Sequence, residues 1–302
     1  MQTRDREQPT FTPPVLTALQ EQCVTCGNAV DTPFCAQCGE KRASDRTYSL
    51  WTFFKDHVVE SVLSFDGRII RTLTTLLRKP GELTREFMRG VRLPYLAPLQ
   101  CFLLLNLGFF VWSSWAGMRI YDTPLWVHMN AQPYSRVATA MVRGYLGSHQ
   151  IAEPVYHARF NAIGAAQARS LVLVMIPAFA AAAALIMLRR RRAPLVQHLV
   201  FALHTYSFVF ILMVAARYLI YYPLNVALDH FGVAGNGPLG HDTPDGIALL
   251  AVLTTYLALS LRRVYDIGWA RAGSSGVALG MIFFIVLQLY RALLFFVTFY
   301  SM

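Results

Sequence analysis

Charge is scarce in this 302-residue chain: Asp, Glu, Lys and Arg make up 15% of it, against 55% hydrophobic residues. Soluble domains carry nearer about 25% charged residues, so an ordinary water-soluble fold is excluded. Acidic residues are absent from every long apolar stretch, which argues against a carboxylate proton relay and against a glutamate-dependent intramembrane protease. The first twenty-two residues contain no continuous apolar run, so no secretory leader is expected. No phosphate-binding glycine loop, G-x-S-x-G or H-E-x-x-H pattern occurs, and no nucleophile-and-base pair can be named. Cysteine is nearly absent as well, with five in all, but four of them fall between Cys23 and Cys38.

What is present points to a membrane. Five stretches, about 97–116, 170–188, 196–221, 246–261 and 276–300, are apolar enough to cross a hydrocarbon core of about 30 Å. The predicted fold class is an all-α polytopic membrane protein of about five transmembrane helices. Trp112, Trp115, Tyr221, Tyr222 and Tyr300 stand near span ends, where amphipathic rings settle at the headgroups. The formal charge of +10 is distributed unevenly: residues 1–46 carry five basic and six acidic groups (net −1), residues 47–95 eight and five (net +3), and the remainder fourteen and six (net +8). That excess lies beside and between the spans and reads as a topology signal.

Arg189, Arg190, Arg191 and Arg192 follow the second span, and Arg262, Arg263 and Arg271 follow the fourth. The positive-inside rule places both loops in the cytosol. Residues 223–245 contain no Lys or Arg and three Asp, and are expected outside. With five spans the N-terminus is then cytoplasmic and the C-terminus external. The loop 117–169, with five Arg, is assigned outside because long translocated loops tolerate such charge.

The stretch CVTCGNAVDTPFCAQCG sets Cys23, Cys26, Cys35 and Cys38 in two C-x2-C pairs eight residues apart, each followed by Gly. A C-x2-C turn brings two thiolates to one side of a knuckle, and two knuckles supply four soft ligands in a tetrahedron. The spacing predicts a miniature structural zinc ribbon over 23–46, with no position left for a catalytic water. So few residues cannot bury a core, so metal must supply most of the folding free energy. Two disulfides are the alternative, and they need an oxidising compartment that a cytoplasmic head lacks. A net charge of −1 offers no footprint for nucleic acid, so a protein partner at the head is the expectation. Residues 1–22 read as a disordered tail. Cys101, within the first span, reads as an ordinary core or lipid-facing residue.

Residues 47–95 read as amphipathic juxtamembrane helices. Leu50, Trp51, Phe54, Val58 and Val62 recur at helical spacing; next, Phe65, Ile69, Ile70, Leu73, Leu76 and Leu77 oppose Arg68, Arg71, Thr75 and Arg78. Arg68, Arg71, Arg78 and Lys79 are thus candidate contacts to an anionic leaflet, and packing on the cytoplasmic ends of the spans is the equal alternative. Pro80 and Gly81 close that helix, and a third spans 82–89 with i,i+3 pairs Glu82 with Arg85 and Glu86 with Arg89.

The run RKPGELTREFMRGVRLPYLAPLQCFLLLN, behind the cysteine head, resembles a bacterial membrane family, domain-of-unknown-function family 3667. Arg78, Pro80, Gly81, Arg85, Glu86, Phe87, Gly90, Arg92, Tyr95 and Pro98 carry the likeness. The family usually has a basic residue between the Gly and the Arg, where this chain has Val91. The resemblance implies a zinc-ribbon-headed, multi-pass protein of a bacterial inner membrane and supplies no activity.

Within the spans the polar residues that stand out are His198, His204, Arg217, Gln288 and Arg291. His198 and His204, six apart, face different sides of a helix and cannot chelate one metal. Arg291 is followed by apolar and hydroxylic residues only, so it is expected deep in the fifth span, pointing inward. Arg291 and His204 form a candidate polar site, either functional or simply satisfied. Three readings follow: a non-enzymatic membrane protein whose head and basic collar dock a partner, a transporter or small channel for an anionic solute lined by Arg291 and His204, and a lipid-modifying enzyme. The first is favoured, by a ligand-saturated metal site and acid-free spans; a homo-oligomer is compatible with all three.

Overall fold

The computed structural model describes residues 21–30, 32–41, 67–117, 121–187, 193–223, 226, 230 and 244–302. The amphipathic segment expected at 48–64, the tail 1–20 and Arg189 to Arg192 lie outside them. Glu21 and Gln22, assigned to the tail from sequence, instead form the first strand. Strand β1 (Glu21–Gln22) pairs antiparallel with β2 (Ala29–Val30), Glu21 opposite Val30, and a second ladder closes through Phe34 and Lys41.

The rest is helical: α1 (Arg68–Arg78), α2 (Glu82–Arg89), α3 (Pro98–Trp115), α4 (Leu125–Asn130), α5 (Ser135–His149), α6 (Glu153–Ile186), α7 (Leu195–Ala216), α8 (Pro244–Tyr265) and α9 (Trp269–Tyr300). A π-helical turn, Arg217–Tyr221, prolongs α7. Among the described residues, five helices are long and apolar enough to cross a membrane: α3, α6, α7 with its extension, α8 and α9. The all-α polytopic reading therefore holds.

Helix α7 is central: 67% of its membrane window is buried, against 33% in each of the other four. Its buried run from Val200 to Phe210 packs on α3 through Phe102 and Phe210, and on α6 through Phe179, Phe201 and Tyr206. A helix surrounded by protein needs no polar face, which is why its apolar residues show no amphipathic pattern. Lipid is as apolar as leucine, so helices associate in it by close packing rather than by hydrophobic transfer. The pair α8 and α9 illustrates this. A Cβ at Gly280 would stand 2.6 Å from Thr254 Oγ1, and one at Gly276 would stand 3.0 Å from Ala258. The spacing Gly276-x3-Gly280 is a small-residue contact motif.

Two spans are longer than expected. Helix α6 begins at Glu153 rather than near residue 170, and α9 at Trp269 rather than near 276. At 1.5 Å per residue they reach about 51 and 48 Å, well beyond a hydrocarbon core of about 30 Å. The added first turns of α9 lie on the head side, whereas the N-terminal part of α6 and the C-terminal part of α9 meet at the end of the bundle away from the cysteine head. There Tyr156, Phe160 and Phe295 join Leu125, Ala138 and Val142 from α4 and α5 in a small second core. Residues 121–169 of the loop thus form a folded cap. It is tied down by Arg159 Nη2 donating to the Met302 carbonyl (3.1 Å) and by Gln167 bonding Thr298 and Ser301.

At the opposite, head-side end, α1 and α2 lie on the ends of α7 and α8. Gly81 sits at φ +79° with its Cα so near α8 that a Cβ would be 2.7 Å from the Ser260 carbonyl oxygen. Arg263 donates to the Pro80 carbonyl and approaches Glu82 at 3.5 Å. The i,i+3 pairs Glu82 with Arg85 (2.7 Å) and Glu86 with Arg89 (3.1 Å) form as expected. At Gly90 (φ +92°) the Val91 amide bonds Glu86 and the Gly90 amide bonds Phe87, a Schellman ending that needs a left-handed residue. Cys101 is fully buried.

Gly81→Ala and Gly117→Ala separate backbone strain from docking. Both glycines have positive φ, but nothing lies within 4 Å of a Cβ at Gly117. In detergent, Gly117→Ala is expected to cost about 1 kcal/mol and Gly81→Ala distinctly more; equal shifts in melting temperature would show that the approach to Ser260 carries no weight. Gly280→Leu is expected to destabilise by about 2 kcal/mol or more, as overpacked contacts do.

Candidate functional site: a cysteine cluster latched over a basic cleft

The two halves of the head are built alike. In the first, the Gly27 amide bonds the Cys23 carbonyl and the Cys23 amide bonds Asn28; in the second, Gly39 bonds Cys35 and Cys35 bonds Glu40, all at 2.7 to 2.8 Å. Gly27 (φ +78°) and Gly39 (φ +76°) turn each knuckle through the left-handed region. The four sulfur atoms lie within 4.8 Å of one another, with Cys23 to Cys38 at 3.5 Å and Cys26 to Cys35 at 3.6 Å. A tetrahedral ion bound at about 2.3 Å sets its thiolates about 3.8 Å apart, so the cluster could hold a metal ion. The Cys38 backbone amide, directed at Cys35, leads the interactions that lower that thiol to about 7, while, against the Glu40 amide, desolvation and the neighbouring sulfurs push the Cys38 thiol up to about 12. Thiolate is the form that binds metal.

Glu40, which sequence reasoning counted only as a charge, joins the head to the membrane domain. Its side chain is buried, and Oε2 accepts the amides of Arg92 and Leu93 (each 3.1 Å) and the Thr25 hydroxyl (2.7 Å). No local pattern could reveal it, since the amides lie more than fifty residues on. Buried Thr72 repeats the device, taking the Leu96 amide at 2.9 Å while donating to Arg68 O. The segment between Gly90 and Pro98 is therefore held from the head on one side and from α1 on the other.

Between head and segment opens a cleft of about 320 Å³. Among the described residues, Lys41, Arg68 and Arg92 line it as cations, Tyr95 and Gln100 as neutral polar groups, and Glu40 as a carboxylate. The first turn of α3 also lines it through Pro98 and Gln100, with no side-chain cap and no acidic residue. The candidate surface residues thus divide. Arg68 turns toward the cleft, whereas Arg71, Arg78 and Lys79 are exposed beside the exposed apolar side chains Ile70 and Leu77. Helix α1 buries Thr72 and Leu76 against protein, so only part of its expected apolar face is left for a leaflet.

Residues 66–110 match the model of a family described as Protein of unknown function (DUF3667). This segment carries the DUF3667 signature. No curated protein and no solved structure matches the chain. The motif residues now have physical roles: Pro80 and Gly81 dock on α8, Glu86 pairs with Arg85 and Arg89, Gly90 ends α2, and Arg92, Tyr95 and Pro98 wall the cleft. Arg92 also lies over the Phe87 ring at 4.9 Å. Most of the cleft wall is DUF3667 segment.

His204 and Arg291 are not brought together. His204 is buried on α7, with Nδ1 2.9 Å from the Thr84 hydroxyl on α2, and His198 pairs instead with Tyr265 (2.7 Å). Arg291 stands twenty-two residues into α9, about 33 Å along it, while His204 stands nine residues into α7, about 14 Å along it from the same end. The apolar run after Arg291 packs through Phe295 and Phe299 against the cap, so its composition reflects protein contact as well as lipid. Arg291 interacts electrostatically with Tyr121, His128 and Tyr134 at the base of the cap, where His128 Nδ1 is 2.7 Å from the Tyr134 hydroxyl. Burial foremost, then Arg291, holds His128 down to about 4, although a carbonyl of Thr123 opposes this.

His128 makes the cap acid-sensitive. The unfolded imidazole takes a proton near pH 6.5 and the folded one only near 4, so its contribution is complete above about pH 6.5. It is lost as pH falls through that window, by about 3 kcal/mol at most. The melting temperature of the wild type in detergent is expected to drop between pH 7 and 4.5, and that of His128→Phe to drop less; parallel curves would remove His128 as the source.

Proposed function

We propose that the chain is a non-enzymatic multi-pass protein of a bacterial cytoplasmic membrane, in which a zinc-clipped cytosolic head presents a docking platform for a protein partner. The observation that carries this reading is the Glu40 latch. Because one buried carboxylate holds the Arg92 and Leu93 amides, the head is fastened to the DUF3667 segment instead of swinging on a tether. Four thiolates around one ion leave no coordination site for substrate, which fits a structural role for the metal. On the head, Val24 and Phe34 are exposed apolar side chains of the kind that a protein partner covers.

The sidedness follows from charge. Arg262, Arg263 and Arg271 lie at the head-side turn between α8 and α9, and positive-inside placement puts that end in the cytosol. The cap and the C-terminus then face outward. The depth separating His204 from Arg291 weighs against one solute path lined by both.

The test compares proteins co-purified in mild detergent with the wild type, with Cys35→Ser/Cys38→Ser and with Glu40→Ala. Partners held by the wild type are expected to be lost from the cysteine variant and reduced several-fold in Glu40→Ala, with the spans still inserted in both. Identical partner lists for all three proteins would overturn the docking role. Chelation of the wild type should release about one zinc per chain and expose the head to protease; a protease-resistant, metal-free head would refute the structural role of zinc.

A further inference from the structure

We propose that the cap-side boundary of the bilayer lies at Arg169, Arg217 and Arg291, and that these three arginines bind phosphate groups of the lipids in that leaflet. They stand on three different helices, and contacts between their neighbours put them at one level. The Tyr290 hydroxyl, next to Arg291 on α9, lies 3.2 Å from the carbonyl oxygen of Ala168, next to Arg169 on α6. In the last turn of α3 the Trp112 indole donates to the Tyr218 hydroxyl at 2.9 Å, beside Arg217 at the end of α7. Tyr121 joins the two pairs: its ring stands 5.6 Å from Phe109 of α3 and 6.0 Å from Tyr290, whose hydroxyl is also 3.1 Å from the Tyr121 carbonyl oxygen.

The depth of this level matches a hydrocarbon core. Residues 170–186 of α6 and 272–290 of α9 contain no Asp, Glu, Lys or Arg, and at 1.5 Å per residue they measure about 26 and 28 Å, against a core of about 30 Å. Helix α3, also without charge, is about 27 Å long and ends at the same level. Exposed side chains change character there. On α6 they are Leu173, Val174 and Leu185 on the head side of Arg169, and Ala158, Arg159, Ala162 and Ala166 on the cap side. Trp115, 82% exposed, ends α3 where amphipathic rings settle. The fifth span therefore ends at Tyr290, and the nine residues from Ala292 to Tyr300 stand with the cap beyond the hydrocarbon.

At that level the arginines meet lipid headgroups. Arg169 is exposed, and Arg217 and Arg291 are half-buried. None of the three forms an ion pair among the described residues, and Arg291 Nε is buried without a hydrogen-bond partner there. Asp122 acts on Tyr290 together with Arg291 and offsets part of that one charge. A guanidinium presents several donors in a plane and takes phosphate by paired, charge-assisted bonds, and its long stem lets it reach a headgroup from the rim of a span. Anionic lipid is the favoured occupant because it adds net charge to the phosphate. This inference rests on the spans alone and requires neither the head nor a choice of which end faces the cytosol.

Full-length protein is reconstituted in vesicles of phosphatidylcholine and phosphatidylglycerol, which are frozen and thawed with a membrane-impermeant maleimide so that both faces meet the reagent; labelled peptides are read by mass spectrometry. Leu293→Cys and Tyr300→Cys are expected to label, and Val174→Cys and Ile285→Cys to label about tenfold more slowly. Protection of Leu293→Cys would overturn the boundary and return Arg291 to the interior of the span. In neutral detergent, native mass spectrometry is expected to find phosphatidylglycerol retained in preference to phosphatidylcholine by the wild type. Retention should fall several-fold in Arg169→Gln/Arg217→Gln/Arg291→Gln and change little in Arg136→Gln/Arg143→Gln, two exposed positions on the cap. Should the triple variant melt early, Arg169→Gln alone, at an exposed position, is expected to lower retention about twofold. Unchanged retention in both Arg169→Gln and the triple variant, or equal losses in these and in the cap variant, would overturn phosphate binding by the three arginines. Neither result alters the partner lists of the docking test, so the two readings fail separately.

Discussion

The head-side architecture depends on one close approach, that of the Gly81 backbone to the Ser260 carbonyl of α8. A side chain at Gly81 would hold the two backbones apart, and a right-handed φ there would misdirect the chain entering α2. With the approach made, Arg263 reaches the Pro80 carbonyl and Glu82, and Thr84 reaches His204 in the middle of the bundle. The collar becomes part of the membrane domain. Only then does the loop before α3 have a fixed place, from which its amides can donate to Glu40 and Thr72.

This chain of dependence explains how a head with almost no core can occupy a defined position. Among the described residues, buried apolar side chains in it amount to Val30, Cys23 and Cys35. A metal supplies the local fold of such a unit, but metal affinity says nothing about where the unit sits. That is decided by a carboxylate whose burial would be costly without its three donors. The Glu40 latch therefore depends on the collar being in place, and the cleft beside it exists only as a consequence of both.

The far end follows a different rule. In the bundle, association relies on close contact between small residues and on interdigitated rings, as at Gly276 and Gly280 or between Phe102 and Phe210. Past the length that a bilayer needs, α6 and α9 continue and bury aromatic residues with α4 and α5. There Arg291, His128 and the surrounding tyrosines sit at the junction of bundle and cap. Burial keeps the imidazole neutral and pushes the Tyr121 and Tyr134 hydroxyls up, while Arg291 draws both phenols back.

The four-cysteine cluster was legible in the sequence because ligand spacing is local and metal geometry is strict. Five membrane spans were legible because lipid demands long apolar runs whatever their neighbours. The i,i+3 pairs of α2 followed from helical spacing alone. What the far end of α9 meets was not legible: the run after Arg291 is apolar whether it faces acyl chains or Phe160 of the cap, and hydropathy does not distinguish the two. Arg68 looked like Arg71 on a helical wheel, yet one turns to the cleft and the other to the surface, because the side of α1 that docks is chosen by α7 and the loop at Leu96. Glu40 had no local signal, since its partners are backbone amides, which every sequence possesses. The sequence by itself determined which segments enter a membrane and which cysteines can share an ion, for both depend on chemistry carried by neighbouring residues. Only the tertiary structure decided that head, collar and first span enclose one basic cleft, because that requires groups far apart in the chain to meet at hydrogen-bond distance.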